Sequence, residues 1–444
     1  MLTLAPFRGL FYNQKKIRDL SKVIAPPYDV ISKEEQERLY KRSVYNFVRL
    51  DLSQESDSYD SAARLLQEWQ LQDIFERDEQ PALYFMTHRF SLKGGDAKMR
   101  AGFFALTELQ DFSQGTIRPH EKTLDAPKED RLKLMLACQA QLSPVFALYD
   151  QPRQTINRTL SAHVDGTEPF IALEQDNGDQ CRLWRVTDTR VVQRIQQEMQ
   201  DQSLLIADGH HRYEATLKYR DHMRRQRGEW SGREPFNFIM TYFANMSDDN
   251  VVILPTHRLV RGYAHQPFLQ LEEALQKYCY LEQYPKTPEG RAWFLKALKT
   301  SGRKQHVIGA SFKRDPRYLI LRVKSKRTMQ RLAKDLSQPL RELDVTVLHS
   351  LILEHILGMP AEQQVKGETI HYSEDEEAVL QTLEKEEFQA AFILNPPKPE
   401  EIRRISNGGE TMPQKSTYFY PKLPSGVISN KVDPDEEIVS ALAT

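Results

Sequence analysis

Apolar residues recur along the chain at spacings typical of both helices and strands. In residues 58–74 they follow a helical period, which predicts an amphipathic helix. Residues 83–92 and 99–109 instead predict the two strands of a hairpin, because a turn signal at 93–96 lies between them. Short buried strands then alternate with amphipathic helices. This mixture predicts an α+β fold, with a mixed sheet and flanking helices.

After residue 262 the pattern of predicted helices and strands changes, and we therefore predict three segments. Residues 1–80 form an N-terminal helical and loop extension that packs on the core. Residues 81–262 form the core itself, and residues 263–444 form a C-terminal α+β domain that completes or covers the pocket. A chain of 444 residues is long enough for this number of domains.

Charge and composition limit the classes of partner. Lys and Arg number 61 and Asp and Glu number 62, so the chain is not built to bind a polyanion, and we expect no nucleic-acid partner. Apolar runs are too short for a membrane span, and the N-terminus lacks the apolar segment of a signal peptide. Three scattered cysteines fit a reducing compartment. We therefore expect a cytoplasmic protein; a homodimer is one option for its oligomeric state.

Glycine is scarce, and the common phosphate-binding motifs are absent from the sequence. The chain has 19 glycines and contains neither G-x-x-x-x-G-K nor G-x-G-x-x-G. Any phosphate site in this chain must therefore be built in another way.

The strongest chemical signal lies where a buried strand, predicted at 203–207, meets a helix that ends near Arg227. The junction reads Asp208-Gly209-His210-His211-Arg212. The first amides of a helix lack internal partners and favour an anion, and Gly209 allows a ligand to approach the backbone closely. Asp208 suits an N-cap, a metal ligand or a base. The alternatives are a plain helix cap and a zinc site, which adjacent helical side chains fit poorly.

Further polar segments carry weaker signals. Residues 118–123 contain His120 and Glu121, and a carboxylate held there can act as a general base or bind a cation. An ordinary solvated loop is the favoured alternative for this segment. Two other segments, one at a strand end and one in a late loop, contain candidate substrate-binding residues. The alternative is that these are ordinary polar residues without a functional role. They are Thr256, His257, Arg258 and Lys415.

Seven ordered segments resemble a large prokaryotic family known as domain of unknown function 1015, and together they cover nearly the whole chain. The segments are APPYDV, IRPHEKT, PVFALYD, IADGHHRYEATL, LPTHR, LDVTVLH and MPQKSTYFYPK.

Two of these segments, RPHE and ADGHHR, also resemble the free-serine kinases of the ParB/sulfiredoxin-like superfamily. The resemblance implies a ParB/sulfiredoxin-like core with N- and C-terminal α/β extensions. It implies that Glu121 activates the hydroxyl of free L-serine, with His120 beside it, and that a phosphate loop holds the transferred group. The loop residues implied are Asp208, Gly209, His210, His211 and Arg212.

The reaction implied by this resemblance is phosphoryl transfer to L-serine, or from O-phosphoserine in reverse. The donor is ATP, ADP or pyrophosphate, with Mg²⁺ as cofactor and Asp208 as its ligand. Two alternatives remain open: a non-catalytic regulator that binds nucleotides or phosphometabolites, and a ParB-like nucleotide switch.

Overall fold

A computed structural model describes residues 1–92, 95–264, 268–303, 305–365, 369–385 and 387–439. The chain divides into two compact units. Unit 1 comprises Met1–Pro119, Thr123–Val252 and Pro421–Thr444, and unit 2 comprises His120–Lys122 and Ile253–Tyr420. These units differ from the three predicted segments. Residues 1–80 are part of unit 1, and the chain returns to unit 1 at Pro421.

Strands and helices both occur along the whole length of the described residues. The strands are β1 (Leu4–Ala5), β2 (Gly9–Tyr12), β3 (Phe75–Arg77), β4 (Leu83–Ser91), β5 (Ala97–Glu108), β6 (Ile117–Pro119), β7 (Ala140–Gln141), β8 (Val145–Tyr149), β9 (Ile171–Glu174), β10 (Gln180–Val186), β11 (Leu204–Asp208), β12 (Phe238–Asn245), β13 (Val252–Leu254), β14 (His257–Val260), β15 (Cys279–Pro285), β16 (Ile308–Phe312), β17 (Arg317–Val323), β18 (Ile370–Ser373), β19 (Ala390–Ile393), β20 (Tyr418–Tyr420) and β21 (Ser429–Lys431).

The α-helices are α1 (Lys33–Arg42), α2 (Val48–Asp51), α3 (Ser58–Leu71), α4 (Asp125–Cys138), α5 (Thr155–Val164), α6 (Thr189–Gln200), α7 (His210–Arg227), α8 (Phe268–Tyr278), α9 (Pro288–Gly302), α10 (Lys326–Leu332), α11 (Gln338–Arg341), α12 (Asp344–Val347), α13 (Ala361–Val365), α14 (Glu376–Lys385) and α15 (Pro399–Asn407). None of the described helices is long and apolar enough to cross a bilayer.

Unit 1 is built on a nine-stranded mixed sheet. Its order is β6-β11-β8-β12-β5-β4-β10-β9, with β1 beside β5. The pairs β6–β11 and β8–β12 are parallel, whereas β4 and β5 form the predicted antiparallel hairpin. Residues 93 and 94 of its predicted turn lie outside the described residues. Because side chains alternate across a strand, Phe85, Phe103 and Phe243 share one buried face, which packs with Ile195 of α6.

A second, four-stranded sheet of unit 1 has the order β3-β2-β21-β7. Its strand β21 pairs with β2 on one side and with β7 on the other. Strand β21 is therefore an integral part of unit 1, and the residues just after Pro421 lie in this unit as well.

Unit 2 contains a six-stranded antiparallel sheet in the order β15-β17-β16-β19-β14-β18. Its core includes Leu259, Phe294, Ile320 and Leu380. In unit 2, α12 is followed directly by a π-helix, Leu348–Ile356. Both units combine helices with sheets, so the α+β prediction is confirmed. The ParB/sulfiredoxin-like identity of the core stays a prediction.

Candidate functional site

One glycine makes the turn between β11 and α7. β11 ends at Asp208 and α7 begins at His210, so Gly209 alone joins them. Gly209 has φ of 89°, in the left-handed region that favours glycine. The guanidinium of Arg212 lies 3.0 Å from the position that a Cβ on Gly209 would take. Gly209 therefore serves both the turn and the close approach of Arg212.

The carboxylate of Asp208 lies between two cations. Arg212 Nη2 donates to Oδ2 at 2.5 Å, and Lys422 Nζ donates to Oδ1. Burial opposes ionisation of Asp208, but Lys422 and Arg212 outweigh it and hold the pKa of this carboxyl well below its usual range. Lys422 also lies 3.9 Å from Asp29. The strand end of β11 is thus the centre of a network of paired charges.

Asp208 does not fit the predicted role of a Mg²⁺ ligand. Both of its oxygens are engaged by cations, which repel a metal ion and occupy the lone pairs that it would use. In the described part of the chain, no group of three or more His, Cys, Asp or Glu side chains is placed to hold a metal.

The two histidines of the junction have different surroundings. His210 is buried. His211 Nε2 accepts a hydrogen bond from the amide of Leu124 at 3.1 Å, and a ring nitrogen that accepts carries no proton. His211 therefore fixes the residue that precedes α4. The phosphate-binding role of the loop stays a prediction, and it depends on the first-turn amides of α7 and on Arg212.

Lys422 is absent from the predicted site residues, although it ends the family segment MPQKSTYFYPK. A distance of 214 residues along the chain separates it from Asp208, and no local sequence pattern indicates such a contact. The only available signal was the family segment itself.

A cavity of about 50 Å³ lies beside Arg212 in unit 1. Arg131 lines it and is held by two neighbours. Its guanidinium lies 4.0 Å from the ring centroid of Tyr28, and its Nη1 lies 3.5 Å from Asp51 Oδ1. Burial raises the pKa of Asp51, and Arg131 opposes that rise. The cavity therefore adjoins the Asp208 network but has a buried ion pair of its own.

In unit 2, the carboxylate of Glu121 lies in a concave run of backbone amides. The amides of Lys415, Ser416 and Thr417 donate to it at 3.3, 3.0 and 3.1 Å, and the Thr417 hydroxyl donates at 3.2 Å. Lys415 has φ of 54°, a left-handed conformation that turns successive N–H groups toward one point. We call residues 415–417 the Glu121 nest. Its backbone is shaped around the Glu121 carboxylate.

Two buried side chains support the Glu121 nest. His120 Nε2 lies 2.6 Å from Thr417 Oγ1 and 3.6 Å from Glu121 Oε1. Arg258 is 0% exposed, and its Nη2 donates to the carbonyl of Lys415 at 2.8 Å. Burial lowers the pKa of Arg258 to about 10. Of the predicted residues, the structure thus brings His120, Glu121, Arg258 and Lys415 together.

The interpretation of residues 118–123 as a solvated loop needs correction. Ile117–Pro119 form β6, whose parallel pairing with β11 satisfies backbone groups, and His120 is fully buried. Thr256 and His257 are buried as well. His257 Nδ1 accepts from the Leu394 amide at 3.2 Å, and burial lowers its pKa. A substrate contact by these residues stays a prediction.

A family model described as "Protein of unknown function (DUF1015)" matches residues 4–346. The chain belongs to the DUF1015 family. The resemblance based on seven ordered segments is thereby confirmed. Comparison of this DUF1015 chain with curated proteins gives no match.

Several solved structures are similar to this DUF1015 chain at low identity. A free serine kinase in complex with AMP is 14% identical, with a TM-score of 0.33. The match covers 76% of this chain and 91% of the kinase chain. A conserved hypothetical protein from Pyrococcus furiosus is 14% identical, with a TM-score of 0.35, over 74% and 95%. SbnI from Staphylococcus aureus, with a C-terminal truncation, is 11% identical, with a TM-score of 0.36, over 75% and 90%.

Proposed function

We propose that this protein transfers a phosphoryl group from ATP, ADP or pyrophosphate to the hydroxyl of free L-serine or a similar small metabolite, or in reverse from O-phosphoserine. The observation that carries the proposal is the β11–α7 junction. There a left-handed glycine opens an 18-residue helix whose first turn has no acidic residue, and Arg212 and Lys422 add positive charge. Backbone amides at a helix N-terminus together with fixed cations are a common way to hold phosphate.

Arg212 and the first-turn amides of α7 would hold the phosphate group in this proposal. Asp208 acts as a positioning residue, because its carboxylate fixes the guanidinium of Arg212 and the ammonium of Lys422. Phosphoryl transfer depends chiefly on positioning and on neutralising charge, so such a network suits the reaction. Mg²⁺ enters with the nucleotide, as part of the substrate.

Glu121 would accept the proton of the acceptor hydroxyl. The hydroxyl oxygen bonds to the terminal phosphorus, the bond from phosphorus to the bridging oxygen breaks, and its electron pair leaves with the shortened donor. Of the two carboxylate oxygens, Oε1 takes three hydrogen bonds of the Glu121 nest, while Oε2 takes the longer one from Lys415.

The test is product formation. The full chain is incubated with Mg²⁺, L-serine and each donor in turn, and O-phosphoserine is measured by mass spectrometry. We expect product with at least one donor. Glu121→Gln should abolish turnover while calorimetry shows donor binding within about twofold of wild type, and Glu129→Gln, an exposed glutamate, should behave as wild type.

Two results would contradict the proposal. Absence of product with every donor, in either direction, would exclude phosphotransfer to serine; donor binding without turnover would then favour a regulator, and retention on duplex DNA a ParB-like switch. Full activity of Glu121→Gln would exclude Glu121 as the base.

A further inference from the structure

Unit 2 contains a cavity of about 30 Å³ that none of the roles above uses. Two basic and two acidic side chains line it. We call it the unit 2 cavity, and the lining residues that matter here are Thr256, His306, Asp344, Lys398, Glu401 and Ser416.

The ionisable groups of the unit 2 cavity balance one another. His306 Nδ1 lies 2.8 Å from Asp344 Oδ1, and this hydrogen bond raises the pKa of His306. Glu401 Oε2 accepts from the backbone amide of Lys398 at 2.8 Å. Two basic and two acidic side chains thus surround the cavity. A simple anion or cation would pair with lining groups of one sign only, whereas a zwitterion can pair with groups of both signs.

A buried hydroxyl group in this lining has no protein partner. Thr256 is 5% exposed, and its Oγ1 makes no hydrogen bond to any described residue. Buried polar groups are nearly always paired, so an unpaired hydroxyl at a cavity indicates a place for a polar ligand atom.

The unit 2 cavity shares a wall with the Glu121 nest. Ser416 lines the cavity, and its amide donates to Glu121 Oε1 at 3.0 Å. Arg258 donates to the carbonyls of both Thr256 and Lys415. The side of the cavity that carries the unpaired Thr256 hydroxyl is therefore built from the same residues that hold Glu121.

We propose that the unit 2 cavity binds the acceptor as a zwitterion, a small α-amino acid that carries a hydroxyl. The proposal rests on the proposed function. The α-ammonium pairs with Asp344 and Glu401, and the α-carboxylate pairs with Lys398 and His306. The ligand hydroxyl lies at Thr256, on the side of Glu121.

Binding of ligand fragments to the full chain tests the zwitterion. Calorimetry is run with L-serine, with ethanolamine, which lacks the carboxylate, and with 3-hydroxypropionate, which lacks the ammonium. We expect serine to bind and each fragment to bind at least about tenfold more weakly, because each fragment lacks the ion pairs with the lining groups of one sign. No binding of serine, or equal binding of all three, would overturn the proposal.

Variants then assign the binding to this cavity. Lys398 is exposed at the start of α15, so Lys398→Met should fold, and it should weaken serine binding at least about tenfold. Lys385→Met, on the exposed face of α14, is the matched control and should bind as wild type. Thr256→Val should weaken binding of L-serine but leave that of L-alanine unchanged. Unchanged serine affinity in both Lys398→Met and Thr256→Val would overturn the proposal.

The two proposals fail in different ways. If no O-phosphoserine forms with any donor, yet Lys398→Met loses serine binding, phosphotransfer is excluded and the amino-acid site stands. If O-phosphoserine forms and Lys398→Met keeps the wild-type KM for serine, the proposed function stands and the cavity assignment is overturned.

Discussion

Lys422 forms an ion pair with Asp208 across 214 residues of the chain. Their side chains are 15% and 16% exposed, so water and salt screen this pair less than an ion pair on the surface. Arg212 engages the other carboxylate oxygen. The C-terminal part of unit 1 therefore contributes directly to the loop that opens α7.

Removal of the Lys422 charge should weaken both stability and phosphate binding. In Lys422→Met, Asp208 keeps Arg212 but loses a charge-assisted hydrogen bond, so we expect the free energy of unfolding to fall by about 1.5–3 kcal/mol. Affinity for ADP should fall at least about tenfold. Urea unfolding and calorimetry measure the two effects. Lys41→Met, an exposed lysine of α1, is the control, and a Lys422→Met variant indistinguishable from it would contradict the assigned role.

Gly209→Ala should disturb the phosphate loop by displacing Arg212. A left-handed alanine costs about 1–2 kcal/mol, and its Cβ would also lie 3.0 Å from the Arg212 guanidinium. Gly178→Ala is a matched control, since Gly178 has φ of 83° with no atom within 4 Å of an added Cβ. We expect both variants to lose stability and only Gly209→Ala to lose ADP affinity. Equal ADP affinities of the two variants would show that Arg212 is not displaced from a binding position.

Local patterns were sufficient to predict the β11–α7 junction. An apolar run followed by Asp-Gly and then a helical period specifies a strand, a turn and a helix within a few residues, and the structure has all three there. The basic first turn of α7 was equally visible. What surrounds this junction depends on residues far away in the chain, and so Lys422 was not predicted.

The Glu121 nest could not be predicted for a related reason. Residues 118–123 lack an apolar period and look solvated, yet β6 forms because β11 offers it a parallel edge. The amides that hold Glu121 come from residues 415–417, whose left-handed Lys415 has no signature in the sequence. Polar residues that contact only distant partners are indistinguishable from loop residues until those partners are known.

The buried His88 should make stability fall in acid. Burial, followed by the charge of Arg100, lowers the pKa of His88 to about 3, whereas the unfolded chain has an ordinary histidine pKa near 6.5. A depressed folded pKa means that the unfolded state binds the extra proton. The contribution of His88 to the free energy of unfolding is therefore fully present above about pH 6.5. It is lost as the pH falls toward 3, by about 1.4 kcal/mol per pH unit.

Urea unfolding midpoints between pH 7 and pH 4 measure this loss. His349 acts in the same direction, since burial lowers its pKa to about 4. His88→Gln removes the share of this loss that protonation of His88 causes. The urea midpoint of this variant should therefore fall less steeply with decreasing pH than that of wild type. His163→Gln, at an exposed position of α5, should keep the wild-type slope. A His88→Gln slope equal to that of wild type would refute the titration of His88.

Thr417 should contribute to catalysis by positioning Glu121. Its hydroxyl lies 2.6 Å from His120 Nε2 and donates to Glu121 Oε1 at 3.2 Å, so it fixes the orientation of the carboxylate. Thr417→Val keeps the shape and removes both contacts. If the proposed reaction is correct, we expect kcat to fall about tenfold, or about 1.4 kcal/mol in activation free energy, with the KM for the donor unchanged. The effects of substituting residues that act as a unit do not add. Introducing Thr417→Val into the Glu121→Gln variant should therefore not lower its residual rate further. A second tenfold loss in that background would mean that Thr417 acts independently of Glu121.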